Sequence, residues 1–361
     1  MTGVASKVAV IGTGISGAVC ASILAKNGIS VTIFESARGA GGRMSQRREH
    51  CEDGRELLFD HGAPYFTVSA DNLEVQSLVN DWESRGLVAE WKEKFGYFDF
   101  SSKKLWTLKR ALCHEPGVES RFGLGIGTLD WSEDDDAWSL RSLAGQDVGN
   151  FRGVVASDKS TFSSRFTNVT GKPPPIWLHT NGSNPVSDCS TFYSQIKEIP
   201  VLPCFALMLA FEQPLSLLPT KGVSFKNSEV LSWAYCDSSK PGRSTTSERW
   251  VLHSTAEYAE QIISQTGFQK PSPALLTKVA EELFQEFRST GLGISQPFFM
   301  KAHRWGSAFP AASVAGEEQC LWVGKKRLAI CGDFCVTPNV EGAICSGIAA
   351  ASKFVKVLST L

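Results

Sequence analysis

Paired cysteines are the first thing this sequence lacks. Its ten cysteines, at positions 20, 51, 113, 189, 204, 236, 320, 331, 335 and 345, lie mostly in apolar stretches and never as C-x-x-C. That spacing supplies no disulfide framework, so the thiols read as reduced and the expected compartment is the cytoplasm. No second ligand pair accompanies Cys331-x-x-x-Cys335, and no metal site is expected. An excess of either charge is missing too. Lys plus Arg number 36 against 37 Asp plus Glu, for a net charge of -1, which leaves no general field to hold a polyanion and argues against a nucleic-acid partner. Long apolar runs are scarce. Only Val8 to Ala25 goes eighteen residues without a charge, and three glycines at fixed spacing interrupt it, so neither a signal peptide nor a membrane span is expected. No transit-peptide composition precedes Val8, no repeats occur, and the sequons at Asn168 and Asn181 carry no weight in this setting.

What is present reads as an enzyme-sized α/β chain. Apolar residues make up 42% of the 361, charged residues 20%, and Gly, Phe and Trp number 32, 22 and 10, enough for a large core divided over more than one domain. Lys7 to Gly12 is a short β-branched run, Thr13 to Asn27 carries Ile15, Val19, Ile23 and Leu24 at helical spacing, and Val31 to Phe34 is a second buried strand. This is a β-α-β unit about thirty residues long, the size of a crossover between parallel strands.

A helix is predicted over 70–86, with Leu73, Leu78, Val79 and Trp82 on its apolar face and Gly86 as its stop. Between Val118 and Ala156 the pattern predicts a strand and then a meander over 127–131, 138–143 and 153–156, with a solvated turn at Glu133 to Asp136. The Ser-, Thr-, Asn- and Pro-rich stretch 157–203 reads as a crossing between domains. Strands are predicted at 204–211, 223–225, 230–235 and 250–254, and helices at 256–264 and 273–289, the latter with Leu276, Val279, Leu283 and Phe287 on one face. A strand over 327–332 and a helix over 340–358 close the chain.

The strongest chemical signal is Gly12-x-Gly14-x-x-Gly17 with Glu35 at the end of the second strand. Gly12 permits the tight turn, Gly14 lets a diphosphate approach the helix N-terminus across Ile15 and Ser16, Gly17 permits close helix packing, and Glu35 with Ser36 stands where an acid accepts ribose hydroxyls. Arg38-Gly-Ala-Gly41-Gly42-Arg43 follows at once. A nicotinamide dehydrogenase has no need of that Gly-Gly-Arg; the segment resembles the one that crosses the diphosphate in two-domain flavoproteins, with glycine amides and an arginine on the oxygens, and this likeness implies non-covalent FAD.

Near the other end, Gly332-Asp333 after a strand and Val340-Glu341-Gly342-Ala343 at a helix start resemble the second flavin motif of the same superfamily. That likeness implies Asp333 at the ribityl and phosphate region and a positive helix end at the pyrimidine edge.

Further motifs narrow the resemblance. Phe59-Asp60-His61-Gly62-Ala63-Pro64-Tyr65-Phe66-Thr67, Trp233 with Asp237-Ser-Ser-Lys-Pro-Gly-Arg243, Glu248-Arg-Trp250-Val-Leu-His253 and His303-Arg304-Trp305 together resemble the renalase-like FAD oxidoreductases, from Val8 to about Val355 and thinly over 158–188. The resemblance implies an α/β fold: a Rossmann-type FAD-binding domain of the p-hydroxybenzoate hydroxylase type (1–69, 105–160 and 318–361) interleaved with an antiparallel-sheet substrate domain (70–104 and 161–317). It implies Gly62, Ala63, Tyr65, Trp233, Arg243, Trp250, His253 and Asn339 as ring or roof contacts, without assigning a catalytic residue. The implied activity is oxidation of a misreduced 2- or 6-dihydronicotinamide by FAD, with O2 as acceptor.

Two other classes remain open on the sequence. An amine oxidase of the monoamine or polyamine type shares both flavin motifs, but it places an aromatic residue where Asn339 stands, and Lys301 is the one candidate for its flavin-side lysine. A non-catalytic flavin-binding protein is the third. His303 has no Ser or Cys partner at recognisable spacing, so a nucleophilic triad is not expected.

Overall fold

The computed structural model describes residues 7–93, 104–108, 112–176, 199–218 and 220–359. Cys189 and Asn181 lie outside them. Two units divide the chain: Met1–Gly42, Ala111–Pro200 and Pro310–Leu361 form the first, Arg43–Arg110 and Val201–Phe309 the second.

In the first unit β1 (Lys7–Ile11) is central. It pairs in parallel with β2 (Ser30–Glu35) on one side and β11 (Gly153–Ala156) on the other, within a six-stranded sheet ordered β17-β18-β11-β1-β2-β7. Here β7 is Val118–Phe122, β17 is Leu321–Val323 and β18 is Leu328–Ile330. Val8, Ala9 and Val10 are buried completely, as befits a strand covered on both faces. The helices are α1 (Ile15–Lys26), the short α3 (Ser164–Thr170) and α6 (Val340–Leu358). Packing of α1 on α6 is close enough that a Cβ on Gly347 would lie 2.4 Å from the Ser16 carbonyl oxygen.

A three-stranded meander, β8 (Ile126–Ser132), β9 (Ala137–Ser142) and β10 (Asp147–Phe151), belongs to the same unit. Its third strand is not the 153–156 segment that the sequence suggests. Gly153 to Ala156 is buried at all four positions and joins the parallel sheet between β1 and β18. The alternation of a half-exposed meander strand is absent from it.

The second unit is built on a five-stranded sheet ordered β13-β14-β15-β12-β16. Its strands are β12 (Val201–Phe211), β13 (Gly222–Ser224), β14 (Leu231–Cys236), β15 (Glu248–Ser254) and β16 (Phe299–Pro310). On one face Leu207, Leu209, Trp250 and Leu252 pack with Val279, Leu283 and Phe287 of α5 (Pro273–Ser289) and with Tyr258 and Ile262 of α4 (Ala256–Thr266). On the other, Ala206, Met208, Ala210, Tyr235 and Val251 meet Leu57, Phe59 and Trp91. Burial on both sides explains why β12 reads as one continuous apolar run. Thr255 and Ser272 cap α4 and α5 through their hydroxyls, and Pro273 occupies the first turn of α5.

Two hairpins complete this unit: β3 (Gln46–His50) with β4 (Glu56–Asp60), and β5 (Val88–Glu90) with β6 (Trp106–Leu108). Helix α2 (Leu73–Ser84) starts at the Asn72 cap, and its buried face is Val75, Val79 and Trp82. Leu73, expected on that face, is 73% exposed because it opens the first turn.

The unit bounds also differ from those expected. Residues 43–69 and 105–110 group with the second unit, since Leu57, Phe59 and Leu105 share a core with β12 and β15. The described parts of 161–200 and 310–317 group with the first, where Phe162, Ile176, Ile199 and Val314 join the core under β1 and β11.

Candidate functional site

At the C-terminal edge of β1 the chain turns through Gly12, whose φ is +102° and whose N–H donates to the Phe34 carbonyl at 2.8 Å. A Cβ on Gly17 would sit 2.3 Å from the Gly12 carbonyl oxygen and 2.4 Å from Ser157 Oγ, so helix and turn meet here with no room for a side chain. Gly14 differs. A Cβ there would meet nothing within 4 Å, and Gly14 caps α1 with no side-chain hydrogen bond to the first-turn amides. The amides at Ile15, Ser16 and Gly17 thus head a helix with open space beside it, the arrangement that a diphosphate fills.

These two glycines separate packing from binding. Gly17→Ala is expected to destabilise the first unit by about 1–3 kcal/mol through overpacking. Gly14→Ala, at φ -58°, is expected to fold with an unchanged melting temperature but to lose affinity for its dinucleotide. Thermal unfolding of both variants without added cofactor, followed by dinucleotide titration, checks the pair.

Glu35, the last residue of β2, already holds its neighbours. One carboxylate oxygen accepts from Thr13 N at 3.0 Å and Thr13 Oγ1 at 2.6 Å, the other from Ala37 N at 2.8 Å and Ser36 Oγ at 3.3 Å. The acid is therefore oriented beside the α1 start, and ribose hydroxyls would replace the two side-chain hydroxyl donors. Gly41 N donates to the Thr13 carbonyl at 3.1 Å, and a Cβ on Gly42 would contact Gly14 Cα at 3.4 Å. The Gly41-Gly42 loop thus lies against Gly14, and Arg43 follows it at the start of the second unit.

Residues 315 positions apart complete the first unit's cluster. Ser16 Oγ donates to Cys331 Sγ at 3.1 Å, bringing the α1 start to the end of β18, where Gly332 N donates to Ser346 Oγ and buried Asp333 accepts from Phe334 N. The two sequence motifs therefore meet in the fold, through buried side chains. Val340, Glu341, Gly342 and Ala343 form the first turn of α6. Asn339, expected as a ring contact, caps that turn, its Oδ1 accepting from Gly342 N at 2.7 Å. Gly342 is itself confined, since a Cβ would come 2.2 Å from the Thr337 carbonyl oxygen.

In the second unit the sheet face opposite α4 and α5 carries an aromatic and histidine cluster. The rings of His61, His303 and Trp305 stand 4.8 Å apart pairwise. Trp305 Nε1 donates to the His61 carbonyl at 3.0 Å, and His253 Nε2 lies 3.1 Å from the same oxygen. Burial lowers all three imidazoles, His61 to about 2 with help from His303 and Arg47, His303 to about 4 with help from Arg47, and His253 to about 4. They are neutral at pH 7. His61 Nδ1 is buried and has no hydrogen-bond partner among the described residues. Tyr65 and Trp233 extend the cluster, at 6.3 Å from each other. The sequence motifs contain His61 and Trp305, but nothing local reveals the cluster.

Gly62 has a packing reason of its own: a Cβ would fall 2.2 Å from the Arg43 carbonyl oxygen, which also accepts from Ala63 N at 2.7 Å. Trp250 belongs to the core rather than to a substrate wall. It is fully buried on the helix-covered face, 6.0 Å from the Phe287 ring.

Arg243, expected above the cofactor ring, is bound into a buried ion network, at 2.5 Å from Asp60 Oδ1 and 3.5 Å from Asp237 Oδ2. Lys240 Nζ bridges the same carboxylates at 2.7 and 2.9 Å. Burial alone would raise the Asp60 carboxyl, but Lys240 and Arg243 outweigh it and hold it below the usual range. Lys301 is an exposed residue of β16 whose ammonium pairs with Glu49 at 2.8 Å. Nine described cysteines are free thiols, and no group of three or more metal-ligating side chains occurs among the described residues.

Comparison with known proteins agrees on a Rossmann-like start to the chain. The family profile for NAD(P)-binding Rossmann-like domains matches residues 10–82. Carotenoid phi-ring synthase of Streptomyces griseus is 41% identical over 72 residues, which cover 20% of this chain and only 14% of that protein. Among solved structures, a putrescine oxidase double mutant redesigned in its cofactor binding superposes with a TM-score of 0.59 at 13% identity, covering 97% of this chain and 99% of that one. A triple mutant of the same enzyme gives 0.59 at 11% identity, over 99% of both chains. An oxidoreductase from Methanosarcina mazei gives 0.58 at 11%, over 95% of this chain and 99% of that one. No helix among the described residues is long and apolar enough to cross a membrane. The chain therefore carries a Rossmann-like dinucleotide-binding region inside a fold that it shares, over nearly its whole length, with putrescine oxidase.

Proposed function

We propose that this protein is an FAD-dependent oxidase of misreduced dihydronicotinamides, the 2- and 6-dihydro isomers of NAD(P)H, with the p-hydroxybenzoate hydroxylase type of cofactor fold and a substrate role for the second unit. The observation that carries the cofactor reading is the open α1 start at Gly14 with Glu35 and the Gly41-Gly42 loop beside it, to which the C-terminal motif is tied through the Ser16–Cys331 hydrogen bond. The open space at Gly14 and the oriented Glu35 carboxylate fit a dinucleotide with an unphosphorylated adenosine ribose. In this reading the α1 amides and Arg43 bind the diphosphate, Glu35 accepts the ribose hydroxyls, and Asp333 and the α6 start hold the flavin end. Bound FAD supplies the hydride acceptor, so that dihydronicotinamide, O2 and a proton become NAD(P)+ and H2O2. The chain's own task is to orient a substrate that is already a strong hydride donor, which needs no strong base.

The fold likeness to putrescine oxidase favours amine oxidation as the second reading. Against it stand Lys301, tied to Glu49, and Asn339, which caps α6 where amine oxidases resembling this chain carry an aromatic residue. Anaerobic titration of the purified protein separates them. The dihydro isomers are expected to bleach the flavin rapidly and air to restore it with peroxide, whereas amines and ordinary NADH act slowly. Rapid bleaching by a monoamine or polyamine alone transfers the assignment to the second reading. Glu35→Ala is expected to weaken FAD retention by roughly 1.5–3 kcal/mol, the contribution of hydrogen bonds to a charged group. Colourless protein that cannot be reconstituted with FAD overturns both readings.

A further inference from the structure

A cavity of about 320 Å³ lies within the second unit, walled by the β3–β4 hairpin, β6 and the loop between β14 and β15. Asp60, Lys240, Arg243 and Arg249 line it together with Gln46, Thr107 and Ser244. Its ionic balance is uneven. Lys240 and Arg243 each bond both Asp60 and Asp237. Arg249 is only 3% exposed and has no carboxylate within ion-pair distance among the described residues. Its Nη1 donates to Ser247 and its Nη2 to the Ser244 carbonyl at 2.8 Å, all neutral acceptors, while Nε finds none among the described residues. Glu56, also on the wall, is half-exposed and paired with Arg48 at 3.2 Å, so it does not redress the balance.

The buried cluster therefore holds three cations against two carboxylates. An unpaired buried charge is costly to keep, and folded proteins pair such groups or coordinate them to a ligand. We infer that the cavity takes a small metabolite through a single oxyanion group, a carboxylate or a phosphate ester, which completes the charge balance around Arg249. Guanidinium groups favour such oxyanions because their planar donors match two acceptor oxygens. Gln46, Thr107 and Ser244 offer further polar contacts, and Leu58, Leu108 and Pro241 an apolar wall. The inference is independent of the flavin reading.

The test uses the full chain as purified, with its flavin content recorded by absorbance. Acetate and succinate form one arm, inorganic phosphate and AMP the other, each titrated at constant ionic strength by calorimetry and thermal unfolding. At least one arm is expected to show saturable binding and to raise the melting temperature, and the responding arm identifies the oxyanion. Arg249→Gln is expected to weaken that binding at least about tenfold, while melting no lower than wild type without a probe because it removes an unbalanced buried charge. Should that variant fail to fold, Leu58→Trp keeps every charge, fills the cavity and is expected to abolish binding. Absence of any response beyond that to chloride, or binding that survives the variants, overturns the inference. Either result leaves the flavin reading where the absorbance puts it.

Discussion

Lys240→Met is expected to destabilise the second unit by about 3–5 kcal/mol, the loss measured when one partner of a buried ion pair is removed. Lys240 is 4% exposed, and its ammonium bridges Asp60 and Asp237, which lie 180 and 3 residues away in sequence. The methionine would keep the packing against Trp91 and Tyr235, whose rings lie 5.4 and 5.2 Å from Nζ. The two carboxylates would then keep direct ion pairs only with Arg243, since Arg249 acts on Asp237 from beyond ion-pair distance. The fully buried Asp237 would be worst placed, since its Oδ2 already has no hydrogen-bond partner among the described residues.

The cost is electrostatic rather than steric, which a second substitution can show. In Lys240→Met with Asp237→Asn, a charge of each sign is removed, and part of the lost stability is expected to return. Denaturant titration of wild type, the single variants and the double variant measures this coupling. A double variant no more stable than the sum of the single losses would sink the electrostatic account.

Such a network was out of reach of sequence reasoning, and the reason is physical. Asp60 and Lys240 each sit in a motif legible in the chain, but no local pattern says that residues 180 apart share a salt bridge. The Rossmann crossover was legible because every determinant is local: buried β-branched strands, a helix at 3.6 spacing and three glycines in a turn. Segment 153–156 failed for the opposite reason. A four-residue apolar strand carries no information about its partner, and only pairing with β1 and β18 makes it parallel. The β3–β4 hairpin hid behind the charged run Gln46–His50, whose burial alternates but whose residue types do not look like a strand. Strand β16 is not legible because His303 and Trp305, both only partly buried, read as motif residues rather than as one face of a sheet. The candidate site divides along the same line. Gly12, Gly14, Gly17 and Glu35 follow from spacing, while the placement of Asn339 as a cap and Trp250 as core needed tertiary contacts.

Acid should unfold the second unit well above the pH at which its carboxylates protonate. His61, His253 and His303 are neutral in the folded protein, protonating only near pH 2, 4 and 4 because burial disfavours the imidazolium. In the unfolded chain each takes up a proton near pH 6.5. Between those limits the unfolded state binds more protons, so the stability present above pH 6.5 is lost as the pH falls. Three histidines acting together give a slope approaching about 4 kcal/mol per pH unit, and a loss of roughly 5 kcal/mol by pH 5. That is comparable with the whole stability of many domains. Asp60 acts later, since its lowered carboxyl keeps its contribution until below the ordinary carboxylate range near 3.9. Denaturant unfolding at pH 7, 6 and 5 should therefore show a steep decline, with His253→Gln and His303→Gln each removing about a third of the slope. His61→Phe should remove a further third and, by deleting a buried nitrogen that has no partner, leave stability at pH 7 intact or raised. Stability that stays level from pH 7 to pH 5 would show that these imidazoles reach protons in the folded state, and with that the picture of a dry, neutral histidine cluster fails.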